Sequence, residues 1–228
     1  DGSITLVPGD IKTCTITNDD IAPTIKIFKT VINDNGGSAV ENDFSFSLDS
    51  IPGLFHNIAA TTTAGSHIVS ENFFFGYAPS VWGGDCNSDG SITLALDQDA
   101  VCTITNDDIA PKLTVIKIIN NNDGGLLNVA DFSLFVNENP VISGEQGTYN
   151  VGAYTVSETN QFGYVGVIGG GCVSDGSVAL NPGDVKECTI TNDDVAPGLT
   201  VIKSVTNDNG GALEVADFTL RVGGGDPV

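Results

Sequence analysis

Two lysines stand where the alternation of a β-strand would otherwise place apolar side chains. Side chains two residues apart in a strand point to the same face. Lys29 therefore shares a face with Ile27, and Lys117 shares one with Val115. Lys and Arg together number only 8 in the 228-residue chain, so a lysine that recurs at one inward position is informative.

An asparagine and a glutamate occupy comparable inward positions. Asn106 and Asn192 each close a Thr-Ile-Thr-Asn strand, two residues after an inward isoleucine. Glu71 and Glu158 each follow an inward valine by two residues. The sequence thus predicts two sets of one lysine, one glutamate and one asparagine on the core side of a sheet.

This combination suits an acyl transfer between side chains. Burial lowers the pKa of a lysine toward the neutral, nucleophilic amine, and a carboxyl group beside it can shuttle protons. Attack of the amine on the carboxamide would form an isopeptide bond and release ammonia. The predicted pairs are Lys29 with Asn106, assisted by Glu71, and Lys117 with Asn192, assisted by Glu158. The alternative is a hydrogen-bonded cluster without a covalent bond, which proteins retain for specificity.

The elements that position these residues belong to a tandem repeat. The string Cys-Thr-Ile-Thr-Asn-Asp-Asp begins at Cys14, Cys102 and Cys188, which indicates a period of about 87 residues. The chain is predicted to hold the end of one repeat, two complete repeats and the start of another, at residues 1–20, 21–108, 109–194 and 195–228. Asn18 and Lys203 belong to the incomplete copies.

Short alternating segments separated by Gly, Asn, Asp and Pro turns fill each copy. This pattern predicts an all-β fold made of tandem β-sandwich repeats. Ala-Pro follows each Asn-Asp-Asp. We interpret this Ala-Pro as a short, stiff linker, because proline restricts its own backbone and the residue before it.

The cysteines fit the same period. Cys86 precedes Cys102 by 16 residues, and Cys172 precedes Cys188 by the same interval. We predict the disulfides Cys86–Cys102 and Cys172–Cys188, which require an oxidising compartment. The position that would match a partner for Cys14 lies before Asp1.

Metal binding and ligand binding have weaker signals. His56 and His67 occur in the first repeat alone, so no metal–thiolate site and no resident cofactor are expected. Calcium at the acidic loops and junctions is an alternative to plain turn chemistry. Trp82 and the run Phe73-Phe74-Phe75 also lack counterparts in the second repeat, which indicates either core packing or a ligand contact.

The charge narrows the choice of partners. The chain carries 29 acidic and 8 basic residues, a net charge of -21, which argues against nucleic acid and anionic membranes. No apolar run approaches the roughly 18 residues of a membrane span, so no membrane insertion is expected within this segment.

Three strands carry a resemblance to a known family. A Leu-Thr-Val-Ile-Lys strand, a Tyr-Thr-Val-Ser-Glu-Thr segment followed by Gly-Tyr, and a closing Thr-Ile-Thr-Asn strand together resemble the Cna-B-type repeats of bacterial surface adhesins and pilins. The resemblance covers both full and both partial repeats. It implies a prealbumin-like, inverse immunoglobulin sandwich with Lys–Asn or Lys–Asp isopeptide bonds beside a catalytic glutamate. The recurring cysteine pair departs from the usual pattern of that family.

These observations predict a non-enzymatic structural protein. We expect an extracellular or cell-surface stalk or filament in which further copies of the repeat follow in the same chain. A ligand-binding adhesin module is the alternative, since the loops at 51–64 and 137–149 differ between the repeats.

Overall fold

The computed structural model describes residues 2–223, and most of the regular structure in them is β-strand. The first repeat contains β1 (Thr24–Ile32), β2 (Phe46–Leu48), β3 (Ile51–Leu54), β4 (Ala59–Thr61), β5 (Gly65–Glu71), β6 (Tyr77–Pro79), β7 (Gly83–Gly84), β8 (Ser91–Leu94) and β9 (Asp99–Asp108). The second repeat contains β10 (Lys112–Asn120), β11 (Leu134–Val136), β12 (Asn139–Val141), β13 (Gln146–Thr148), β14 (Gly152–Glu158), β15 (Tyr164–Gly170), β16 (Ser177–Leu180) and β17 (Val185–Asp194). Short 3-10 helices lie at Glu41–Asp43, Val129–Asp131 and Val215–Asp217.

The strands form because polar and apolar side chains alternate along them. In β1 the side chains of Ile25, Ile27 and Lys29 are buried, while Phe28 between them is exposed. In β9 every second residue from Ala100 onward is buried. A strand that alternates in this way covers one face of a core with its inward side chains.

Each repeat folds into two sheets. In the first repeat the strand orders are β4-β1-β9-β6, with β7 also on β9, and β3-β2-β5-β8. The second repeat has the matching orders β13-β10-β17-β15 and β12-β11-β14-β16. The first and last strands of each repeat are neighbours and run parallel, as β1 with β9 and β10 with β17. The predicted all-β tandem fold is confirmed.

Two separate cores lie between the sheets. One is built from residues of the first repeat, including Ile27, Phe46 and Ile104, and the other from residues of the second, including Val115, Val156 and Ile190. The described residues before Pro23 and after Asp194 are mostly exposed. Each repeat therefore buries its own apolar face, while the flanking segments contribute to neither core.

Candidate functional site

The lysines predicted to react are buried in the first strand of each repeat. Lys29 on β1 is 1% exposed and Lys117 on β10 is 5% exposed. Both follow two inward apolar residues on the same face, as the alternation predicts. A lysine held so far from water needs a polar partner.

The asparagines lie across the parallel pair from the lysines. In the strand register Lys29 is opposite Ile104 and Val31 is opposite Asn106. The second repeat has the same offset, with Ile119 opposite Asn192. Asn106 and Asn192 are each 2% exposed. An offset of two residues keeps both side chains on the core face and within reach of each other.

The glutamates complete each cluster from the opposite sheet. Glu71 ends β5 and Glu158 ends β14. The Nζ of Lys29 lies 3.0 Å from Oε1 of Glu71, and the Nζ of Lys117 lies 2.9 Å from Oε2 of Glu158. Each repeat thus gathers the predicted lysine and glutamate, with the asparagine on the adjoining strand.

The two clusters differ at the asparagine. In the second repeat the Nζ of Lys117 donates a short hydrogen bond to Oδ1 of Asn192. In the first repeat Oδ1 of Asn106 has no hydrogen-bond partner among the described residues. The second cluster therefore has the closer approach of amine and carboxamide.

The strand beside the asparagine also differs between the two repeats. Gly166 on β15 pairs with Asn192, and a Cβ added there would lie 2.6 Å from Oε1 of Glu158 and 2.9 Å from Oδ1 of Asn192. In the first repeat Pro79 pairs with Asn106 as the last residue of β6. A larger residue in place of Gly166 would require the side chains of Glu158 and Asn192 to shift.

A phenylalanine that strand alternation does not predict covers each lysine. The Nζ of Lys29 lies 4.4 Å from the ring centroid of Phe44, and that of Lys117 lies 4.2 Å from the ring of Phe132. A ring face attracts a cation at this distance. Lys203 and Phe218 make the same contact at 4.2 Å. The recurring Asp-Phe dipeptide was the signal available in the sequence.

Burial also changes the protonation of the lysines. Desolvation lowers the pKa of Lys29 below its ordinary value, and the hydrogen bond and charge of Glu71 oppose that change. The pKa of Lys117 is lowered by the same cause, against the same opposition from Glu158. A lowered pKa makes the neutral amine, which is the nucleophile, easier to reach.

The predicted cysteine pairs are disulfide-bonded. Cys86 joins Cys102 and Cys172 joins Cys188, each with a Cα–Cα distance of 5.1 Å. Cys14 is exposed and has no disulfide partner in the described chain. Each bond ties the final strand of its repeat to the turn before strand β8 or β16.

The predicted Ala-Pro linker lies between the two full repeats, but the Asn-Asp-Asp residues before it are not part of the junction. Those residues are the last part of strands β9 and β17, and Asp108 and Asp194 are buried. The carboxylate of Asp108 accepts hydrogen bonds from the backbone N–H groups of Asn35 and Gly37. The linker between the full repeats is therefore only residues 109–111, and the buried aspartate belongs to the fold.

Backbone hydrogen bonds favour the charged form of Asp108. Burial opposes the charged carboxylate most strongly, but the N–H groups of Asn35 and Gly37 together hold the pKa of Asp108 below its ordinary value. In the second repeat Asp194 accepts equivalent bonds from Asn122, Asp123 and Gly125. The loop that follows the first strand is thus fastened to the end of the last strand.

Three aspartate side chains lie close together at this loop. Carboxylate oxygens of Asp34, Asp107 and Asp108 lie within 4.8 Å of one another. Both oxygens of Asp108 already accept hydrogen bonds from the loop. Calcium binding at the acidic loops stays a prediction.

The aromatic residues of the first repeat border a cleft of about 400 Å³ that extends to Glu71 and Asn106. Trp82 packs edge-on against Phe46, with ring centroids 6.1 Å apart. Phe73, by contrast, is 88% exposed. The aromatic residues therefore divide between the core and the surface, and the cleft lies between them.

A family model matches both full repeats. The model of the prealbumin-like fold domain matches the chain twice, over residues 20–104 and 108–190. The chain belongs to this family of prealbumin-like fold domains. The resemblance stated from the sequence is confirmed for both full repeats. Among curated proteins no match is found.

Solved structures similar to these prealbumin-like domains include two streptococcal pilins. The Bacillus anthracis TIE protein is 17% identical with a TM-score of 0.40, and the match covers 78% of this chain and 34% of that one. A Streptococcus pyogenes major pilin is 12% identical with a TM-score of 0.31, covering 79% and 98%. The minor pilin of Streptococcus agalactiae is 12% identical with a TM-score of 0.25, covering 81% and 100%. The chain spans about 34% of the length of the TIE protein.

Within residues 2–223, none of the helices has the length and apolar character required to cross a bilayer.

Proposed function

We propose that this chain is a structural segment of an extracellular stalk or filament, and that each full repeat closes itself with a Lys–Asn isopeptide bond. The observation that carries the proposal is the buried cluster of Lys117, Glu158 and Asn192, which joins the first strand of a repeat to its last. The first repeat supplies the corresponding cluster of Lys29, Glu71 and Asn106.

The reaction needs no group from outside the cluster. Glu158 takes a proton from the Lys117 ammonium, and the freed amine attacks Cγ of Asn192. The new Nζ–Cγ bond replaces the Cγ–Nδ2 bond, and Nδ2 leaves as ammonia. Of the three ammonium protons, one stays on the amide nitrogen, one leaves with the ammonia and one is held by the glutamate. Each cluster reacts once, so the reaction is a self-modification without turnover.

The position of the bond suits a load-bearing role. Lys117 and Asn192 are 75 residues apart in the chain, but they lie on adjacent parallel strands. A covalent bond between them closes almost the whole repeat into one loop, which removes conformational entropy from the unfolded chain. The disulfide on the same final strand adds a second closure.

The disulfides support a place outside the cell. Persistent disulfides occur in oxidising compartments, and each repeat contains one. The net charge of -21 would repel nucleic acid and anionic membrane surfaces. Further copies of the repeat in the same chain are the partners that a stalk requires.

Intact mass spectrometry under non-reducing conditions tests the proposal. The expected mass is lower than that of the uncrosslinked, disulfide-bonded chain by two molecules of ammonia. The N192A variant should lack one of these losses, and N106A should lack the other. A wild-type mass with no ammonia deficit contradicts the crosslink.

A ligand-binding adhesin module is the second candidate, and the cleft of the first repeat favours it. Trp82 borders the cleft and is the only tryptophan in the chain. Its fluorescence therefore reports directly on binding there. A saturable change with a host glycan or matrix peptide, abolished in F73A, would support this function, and no change with any of them would count against it.

A further inference from the structure

We propose that the two repeats dock through a fixed interface centred on Ile109, and that the same surface of each repeat receives the next copy in the chain. This inference extends the proposed stalk function. Its test measures the geometry between repeats, which does not depend on whether the isopeptide bonds form.

Ile109 is hydrogen-bonded to both repeats through its own peptide groups. Its N–H donates to the carbonyl of Gly76 in the first repeat at 2.8 Å. Its carbonyl accepts from the N–H of Gly183 in the second repeat at 2.7 Å. A linker residue with both backbone groups engaged has little freedom to rotate. The next strand begins at Lys112, so only three residues separate the repeats.

Each half of this arrangement recurs at the other junctions. Ile21 lies just before β1 of the first full repeat, at the position that matches Ile109, and its carbonyl accepts from the N–H of Asp97 at 2.8 Å. Val195 follows the second full repeat, and its N–H donates to the carbonyl of Gly163 at 2.8 Å. The hydrogen bonds of the linker residue to the adjoining repeat therefore recur with the repeat.

A second contact prevents rotation about the linker. The N–H of Val151 in the second repeat donates to the carbonyl of Asn35 in the first at 2.8 Å. Asn35 lies in the loop fastened by the buried carboxylate of Asp108. Two separated points of contact define an angle, whereas one point would leave a hinge.

Glycine at the interface allows the repeats to approach each other. A Cβ added to Gly76 would lie 2.5 Å from the carbonyl oxygen of Pro182, which no real Cβ tolerates. Gly163 is the same position in the second repeat, with φ of 80° against 83° for Gly76. A Cβ added at Gly163 meets nothing within 4 Å. Alanine would therefore meet the same unfavourable φ at both positions. Only at Gly76 would it also collide with the other repeat.

Distances between spin labels on the two repeats test the interface. Labels at T30C and S157C, both exposed strand positions, would be attached in a C14S background, because Cys14 is an exposed thiol. The unmodified junction should give one narrow distance distribution. G76A should make it roughly twofold broader, as expected when a short linker becomes free.

The matched control is G163A, which should leave the distribution narrow. A broad distribution in the unmodified junction would overturn the proposal, as would an unchanged distribution in G76A or equal broadening in both variants. Melting temperatures of the two variants verify that both are folded. Intact masses of the same samples report on the isopeptide bonds separately.

Discussion

The Nζ of Lys117 donates a hydrogen bond to Oδ1 of Asn192 across two neighbouring parallel strands. In antiparallel neighbours joined by a short turn, such a contact would link residues close in sequence. Here it links the first and last strands of a repeat. The stability of the whole repeat should therefore depend on these two side chains.

Loss of this bond should destabilise the second repeat. In N192A, opening a loop of 75 residues should lower the free energy of unfolding by about 4 kcal/mol in the chain-entropy model. Its melting temperature should fall by more than about 10 °C. Calorimetry measures both, and T191A, on the outward face of the same strand, serves as the control. Equal melting temperatures for N192A and wild type would contradict a crosslink in this repeat.

Gly166 should control whether the second cluster reacts. The G166A side chain would displace Oε1 of Glu158 and Oδ1 of Asn192, which lie 2.6 and 2.9 Å from the added Cβ. We expect crosslinking in that repeat to slow at least about tenfold, which corresponds to 1.4 kcal/mol in the barrier. Peptide mass spectrometry at timed intervals after refolding measures the rate. G169A is the control, because its Cβ meets its nearest atom at 3.6 Å, and a G166A rate equal to that of the control would exclude this role.

The disulfide should stabilise independently of the isopeptide bond. The C172A/C188A double variant should lose about 3 kcal/mol of unfolding free energy, since the two cysteines that it removes are 16 residues apart. Urea unfolding of the oxidised and variant proteins measures this difference. The ammonia deficit of the second repeat should remain, and its disappearance would show that the disulfide is needed to position Lys117.

The buried aspartate of the second repeat, Asp194, should make the stability of that repeat depend on pH. Burial opposes its charge most strongly, but N–H donors from Gly125, Asp123 and Asn122 hold the pKa of Asp194 below 3.8. Because the folded pKa is lowered, the stabilisation is complete above pH 3.8 and is lost as the pH falls through the folded pKa. Melting temperatures from pH 6 to pH 2 should fall less steeply in D194N than in wild type. D193N, at the exposed neighbouring position, should follow the wild-type curve, and identical curves for all three would refute the assignment.

The strand residues of the site were predictable because alternation alone assigns them to a face. Lys29, Asn106 and their counterparts needed no knowledge of tertiary structure beyond a sheet with one buried side. The cysteine pairs followed from the period. The glutamate faced inward for the same reason, although its distance to the lysine depends on how the two sheets pack.

Other parts of the site depend on contacts that sequence patterns do not encode. Phe44 directly follows a 3-10 helix, where an alternation of two residues no longer assigns a face. Asp108 lies in an Asn-Asp-Asp segment, and these residue types are typical of turns. It is nevertheless buried, because the N–H groups of a loop more than 70 residues earlier donate hydrogen bonds to its carboxylate. The role of Ile109 requires a contact from the following repeat. The pattern of residues within one strand does not predict contacts with residues so distant in the chain.

The adjacency of the first and last strands also determines how a repeat responds to tension. A pull on the two ends of the first repeat enters at Thr24 and leaves at Asp108, along two parallel strands, so their hydrogen bonds are loaded together in shear. With the proposed bond in place, the force crosses from Lys29 to Asn106 and bypasses the chain between them. A stalk made of such repeats would lengthen by only a few residues per repeat before a covalent bond had to break.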